Sequence, residues 1–72
     1  MINTNLLRGK IAEKGKSQKD VAEAIGITPK TFYDKMQKGV FGSDEIEKMI
    51  YFLEIDNPIE IFFAKSVTRK VT

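Results

Sequence analysis

The stretch that most restricts the fold is SQKDVAEAIGITPKTFYDKM, residues 17–36. Ser17 followed by Asp20 reads as a capping box, in which the serine oxygen accepts from the Asp20 amide and the carboxylate reaches back. Val21, Ala22 and Ile25 then form an apolar stripe at helical spacing. Gly26 reads as the stop, because the residue just past a helix often needs a positive φ. Thr28 caps again, and Pro29 suits a first helical position, where its missing N–H is no loss. Only Gly26 and Ile27 separate the first of the two helices from the next cap, Thr28, so the connection is a tight turn. Ala22 is small enough for a close crossing, and Val21, Ile25, Ile27, Phe32 and Met36 lock its angle. The other positions point outward by default.

Short helices flank this pair. Asn3, Thr4 or Asn5 can cap a first helix, with Leu7 and Ile11 on its inner face and Gly15 as its stop. Gly9 inside it costs about 1 kcal/mol relative to alanine unless a neighbour packs closely there. The third helix closes near Lys38–Gly39, and Gly42 allows a tight turn. Ser43 is then expected to cap a fourth helix, with Asp44 and Glu45 at its positive end and Ile46, Met49, Ile50 and Leu53 turned inward. A fifth starts at DNPIE, with Asn57 as cap, Pro58 at the first position and Glu60 answering as the acid of a capping box. Ile59, Phe62 and Phe63 supply its apolar mass. The expected fold is all-α, a single domain over residues 1–64. Residues 65–72 form a basic tail, open between a short strand, an arm and a disordered segment.

Composition removes several kinds of function. The 72 residues include no cysteine and no histidine, which excludes a disulfide framework and the usual zinc ligands. The commonest general base and the best nucleophile are missing too, so no enzyme, catalytic residue, metal or cofactor is expected. No apolar run approaches the roughly 20 residues that span a bilayer, and no signal-peptide pattern opens the chain. A cytoplasmic location is the expectation, with no membrane partner. Charge is unevenly spread. Residues 1–42 carry eight cations against four acids, net +4, and residues 43–64 carry Lys48 against six acids, net −5. The tail adds Lys65, Arg69 and Lys70, net +3. Such asymmetry suggests separate faces for separate partners.

Two short helices joined by a glycine-containing turn form a helix-turn-helix, whose second helix can enter the DNA major groove. At the level of particular residues, the segment resembles the Cro and lambda-repressor type family, common among temperate-phage and bacterial regulators. The Ser17-Gln18 opening, Ala22, the Ile25-Gly26-Ile27 turn, Thr28 and Phe32 fall at the family's spacing, with the motif at about 17–37. The likeness extends to a helix before the motif, one after it, and a closing NPIEIFF. It implies a lambda-repressor-like five-helix domain with residues 28–38 as recognition helix.

The resemblance also implies roles. Pro29, Lys30, Thr31, Tyr33 and Asp34 would lie nearest the bases. Lys30 suits guanine O6/N7, Asp34 a cytosine amino group, and Thr31 or the Tyr33 ring a thymine methyl. Ser17 and Gln18 at a helix N-terminus, together with Lys16, Lys19, Thr28, Lys35 and Lys38, would hold phosphates. The family often presents Gln, Ser or Arg among its base-facing positions; this helix presents Pro29 and Asp34. Tyr51, Phe52, Phe62 and Phe63 are more aromatic surface than one helix pair needs. Two or three belong in the core, and the remainder would form a dimer or partner surface.

Two functions follow as expectations. One is a transcriptional regulator of the Cro-like, phage lysis/lysogeny switch type in a bacterial host cell. As a homodimer on double-stranded operator DNA, it would hold its recognition helices roughly 34 Å apart. The other is an antirepressor that binds a cognate repressor protein through its helix-turn-helix or its acidic helix surface, steered by charge.

Overall fold

The turn after residue 25 sets the architecture. Gly26 adopts φ 82° and ψ 27°, and its N–H donates to the Ala22 and Glu23 carbonyls, which closes one helix. The next begins three residues later, where Thr28 Oγ1 accepts the Thr31 N–H at 3.2 Å and Pro29 occupies the first turn. The computed structural model describes residues 2–63, which form five α-helices and, among those residues, no strand. They are α1 (Thr4–Glu13), α2 (Gln18–Ile25), α3 (Pro29–Lys38), α4 (Ser43–Leu53) and α5 (Pro58–Phe62). The basic tail, 65–72, lies outside the described residues.

Helix α2 is the hub, packed against α3 and α4. Val21 and Ala22 are wholly buried and Ile25 nearly so. They meet Phe32 and Met36 from α3 and Met49 and Leu53 from α4, with Leu7 and Ile11 from α1 in the same cluster. Phe32 has no exposed surface, and its ring lies 5.3 Å from that of Phe41 in the α3–α4 connection. Burying a side chain of this size contributes roughly 1.5–3 kcal/mol relative to leaving it exposed. Segments outside the helices also anchor the core. Ile2 and Ile55 are buried, Ile2 N–H donates to the Gly39 carbonyl at 3.1 Å, and Asn3 N–H donates to the Ile61 carbonyl at 2.7 Å.

Several local expectations are corrected. The cap of α4 is Gly42, not Ser43, which is the first helical residue. Glu45 sits at the third position and its Oε1 accepts the Gly42 N–H at 2.8 Å. A glycine has no side chain to answer, so only that half of a capping box exists. Gly42 itself holds an ordinary φ of −70°. At α5 the Asn57 side chain accepts nothing from the helix; its Nδ2 donates to Glu60 Oε2 at 3.3 Å, and Oδ1 is buried without a partner. Ile59, part of the apolar mass expected of α5, is 60% exposed, while Ile61 is buried beside Phe62. In a helix of five residues, Ile61 and Phe62 face α1 and the core, which leaves Ile59 outside. Helix α4 ends without glycine: Glu54 adopts φ 51°, in the left-handed region that other residues rarely enter.

Candidate functional site

The outer face of α3 presents a polar surface backed by the core. Phe32 and Met36 fix the helix from below, and Tyr33 meets the Phe32 ring edge-on at 6.5 Å. Thr28 and Thr31 lock its first turn, for beyond the cap itself the Thr28 hydroxyl donates to Thr31 Oγ1 at 2.9 Å. Lys30, Tyr33, Asp34, Gln37 and Lys38 are exposed along one side, at the three- and four-residue spacing that aligns side chains on a helix. Pro29 and Thr31 are half-buried, and the Thr31 hydroxyl is engaged with the cap. The presented groups are therefore Lys30, Tyr33 and Asp34, with Gln37 added. Gln37 was missed in the sequence although it lies seven residues after Lys30, the interval that returns to the same face.

The N-terminus of α2 is a second polar element. Ser17 Oγ accepts the Asp20 N–H at 3.1 Å, and the Ser17 N–H donates to Asp20 Oδ2 at 2.9 Å. The expected capping box is present in both halves. The Ser17 backbone N–H, then its hydroxyl and the charges of Lys16 and Lys19, hold the Asp20 carboxyl below its ordinary range. The first N–H groups of a helix have no intrahelical partner, which leaves those of Gln18 and Lys19 free at a helix end that carries Lys16 and Lys19.

Ion pairing sorts the charges in a way composition hides. Lys10 pairs with Glu13 at 3.4 Å and reaches Asp56 at 4.0 Å, and Lys14 pairs with Glu54 at 3.6 Å. Lys35 pairs with Glu45 at 3.0 Å, and both side chains are well covered. Lys35 was expected on a phosphate; instead it ties α3 to the first turn of α4. Burial pushes the Glu45 carboxyl up, but the Gly42 N–H, the Lys35 ammonium and the charge of Lys48 outweigh it, so the carboxyl sits below its ordinary range. Half of the acids in 43–64, namely Glu45, Glu54 and Asp56, thus face lysines from the first part of the chain. Among the described residues Lys16, Lys19, Lys30 and Lys38 form no ion pair, and neither does Asp34. The Lys16 ammonium instead stands 5.3 Å over the Phe52 ring.

The aromatic candidates separate. Phe62 is buried, so it is unavailable to a partner; it fills the space between α5 and the core. Phe52 is half-buried against the core beneath Lys16. Tyr51 is 84% exposed and Phe63 50%. With Ala24, Glu47 and Lys48, Tyr51 and Phe52 line an open groove of about 400 Å³. No helix among the described residues is long and apolar enough to cross a membrane. No protein-family model, curated protein or solved structure matches the chain.

Proposed function

We propose that the chain is a sequence-specific DNA-binding regulator of the Cro-like, phage-switch kind that sets α3 in the major groove of an operator, as a homodimer. The sorting of charge supports this reading most. Lys10, Lys14 and Lys35 are matched by acids, whereas Lys16, Lys19, Lys30 and Lys38, on α3 and around the α2 N-terminus, form no ion pair among the described residues; outside that face the same holds of Lys48 on α4. A polyanion is the partner that such a set attracts. Lys19, Lys38 and the first amides of α2 would hold phosphates and fix the register, while Lys30, Tyr33, Asp34 and Gln37 would face base edges. The lock between Lys35 and Glu45 would keep α3 from shifting as it docks. Acting without a catalytic step, such a regulator would respond to its own concentration and to competitors, in the cytoplasm of a bacterial host.

A second reading keeps the fold and changes the target: an antirepressor that binds a cognate repressor and removes it from DNA. Two observations favour it, the exposed Tyr51 beside an apolar groove and Asp34 in the middle of α3, which has no ion pair among the described residues. Exposed aromatics of this kind are enriched at protein interfaces. One experiment separates the readings. Labelled duplex from the intergenic region beside the chain's own coding sequence is titrated with the protein, with and without the repressor encoded next to it, and anisotropy is followed. The DNA-binding reading expects a rise with the protein alone. The antirepressor reading expects none, but a fall when the protein is added to repressor-bound duplex.

A further inference from the structure

We infer that Asp34 selects cytosine, and that Lys30 and Asp34 together define a half-site with a guanine and a cytosine close together. The inference rests on the DNA-binding reading above. Asp34 lies four residues after Lys30 and four before Lys38, on the exposed side of α3, and pairs with neither among the described residues. Lys35, adjacent in sequence, is held by Glu45 at 3.0 Å. Among the described residues, therefore, no cation is paired with the carboxylate at the centre of the stripe. The Phe32 and Met36 anchors on the buried side fix the helix rotation, which keeps Asp34 on the exposed side of α3.

An ionised carboxylate only accepts hydrogen bonds. In the major groove guanine presents two acceptors and thymine one acceptor and a methyl, so both repel or exclude it. Adenine has an amino donor but sets its N7 acceptor beside it. Cytosine offers the N4 amino group alone, and it is the base edge that satisfies this acid. Lys30, an obligate donor, complements guanine O6 and N7 by the same code. Four residues on a helix advance about 6 Å, close to the rise of two base-pair steps. The two side chains therefore address neighbouring base pairs, one demanding acceptors and the other a donor. The acid also disfavours any non-cognate docking that would bring it against phosphate, so it adds discrimination rather than affinity.

The test is selection of binding sites from a randomised duplex library by the full chain and by Asp34→Asn, Asp34→Ala and Lys30→Ala. The full chain is expected to enrich a site with one cytosine whose replacement weakens binding about tenfold. Asp34→Asn, which both donates and accepts, is expected to move that position alone to adenine, and Asp34→Ala to leave it degenerate. Lys30→Ala is expected to relax a guanine within two positions of it. If the Asp34 variants enrich the same site as the full chain, the inference is overturned while DNA binding stands. If the full chain enriches no sequence, the DNA-binding reading itself fails, and the inference with it. Circular dichroism of each variant shows that it is folded.

Discussion

The Lys35 ammonium lies 3.0 Å from Glu45 Oε1, and the same oxygen accepts the Gly42 N–H at 2.8 Å. One carboxylate thus caps α4 and clamps the C-terminal half of α3. Glu45→Ala removes both contacts and is expected to cost about 1 kcal/mol, the scale of a lost helix cap. For a domain of this size that lowers Tm by about 4–8 °C. Glu45→Gln keeps an oxygen for Gly42 and frees Lys35. It should melt closer to the parent chain yet bind non-specific duplex more tightly, with a salt slope steeper by about one. Thermal melts and anisotropy titrations at several salt concentrations check both parts.

Acid sensitivity follows from the two perturbed carboxyls. The ordinary values for Asp20 and Glu45 are 3.8 and 4.5, and folding lowers both. A carboxyl depressed in the folded state adds stability that is complete above its unfolded value and lost as pH falls through its folded one. With no histidine in the chain, no side chain with an unperturbed value near neutrality intervenes. Denaturant unfolding should give a stability that is flat from about pH 6 to 8 and declines below about pH 5. Glu45→Gln should make that decline shallower. A fall in stability between pH 8 and 6 would contradict this.

Gly9 sits inside α1, and a Cβ built there meets nothing within 4 Å. No neighbour justifies the glycine by packing against it. Gly9→Ala is expected to raise stability by about 1 kcal/mol, read as a higher urea midpoint with an unchanged slope.

Much of this fold is written in local chemistry, and therefore legible. Ser17 with Asp20, Gly26, and Thr28 with Pro29 each fix a helix end through contacts within three or four residues, and each stands in the structure where the sequence puts it. The inward stripes of α2, α3 and α4 follow from spacing alone. Legibility fails where a distant partner decides. Phe41, Ile55 and Ile61 carry no periodic signal, yet they are buried because other segments close over them. Ile59 and Ile61 are chemically alike, and only the seat of a single short turn puts one out and the other in. Glu54 ends α4 where a glycine would be expected, held in the left-handed region by hydrogen bonds to the Ile50 and Tyr51 carbonyls. In the candidate site, Lys30, Tyr33 and Asp34 were found by face. The role of Lys35 was not, because Glu45 is ten residues away and meets it only after α4 folds back.

Lys30 and Lys19 carry different parts of the proposed interface and should fail differently. Lys30→Ala is expected to narrow the gap between operator and unrelated duplex by about tenfold, through loss of a base contact. Lys19→Ala should weaken every duplex alike and reduce the salt slope by about one, since a phosphate contact carries no sequence information. Competition titrations with one specific and one scrambled duplex distinguish the two.

The most direct measurement is the salt dependence of DNA binding by the unmodified chain. If Lys16, Lys19, Lys30 and Lys38 are held free for a polyanion, log K against log salt should fall linearly with a slope of about −3 to −4 per protomer, and more tightly bound operator should share most of that slope. Binding that is absent at low salt, or that does not change between 50 and 200 mM, would contradict the DNA-binding reading and leave a protein as the target of α3.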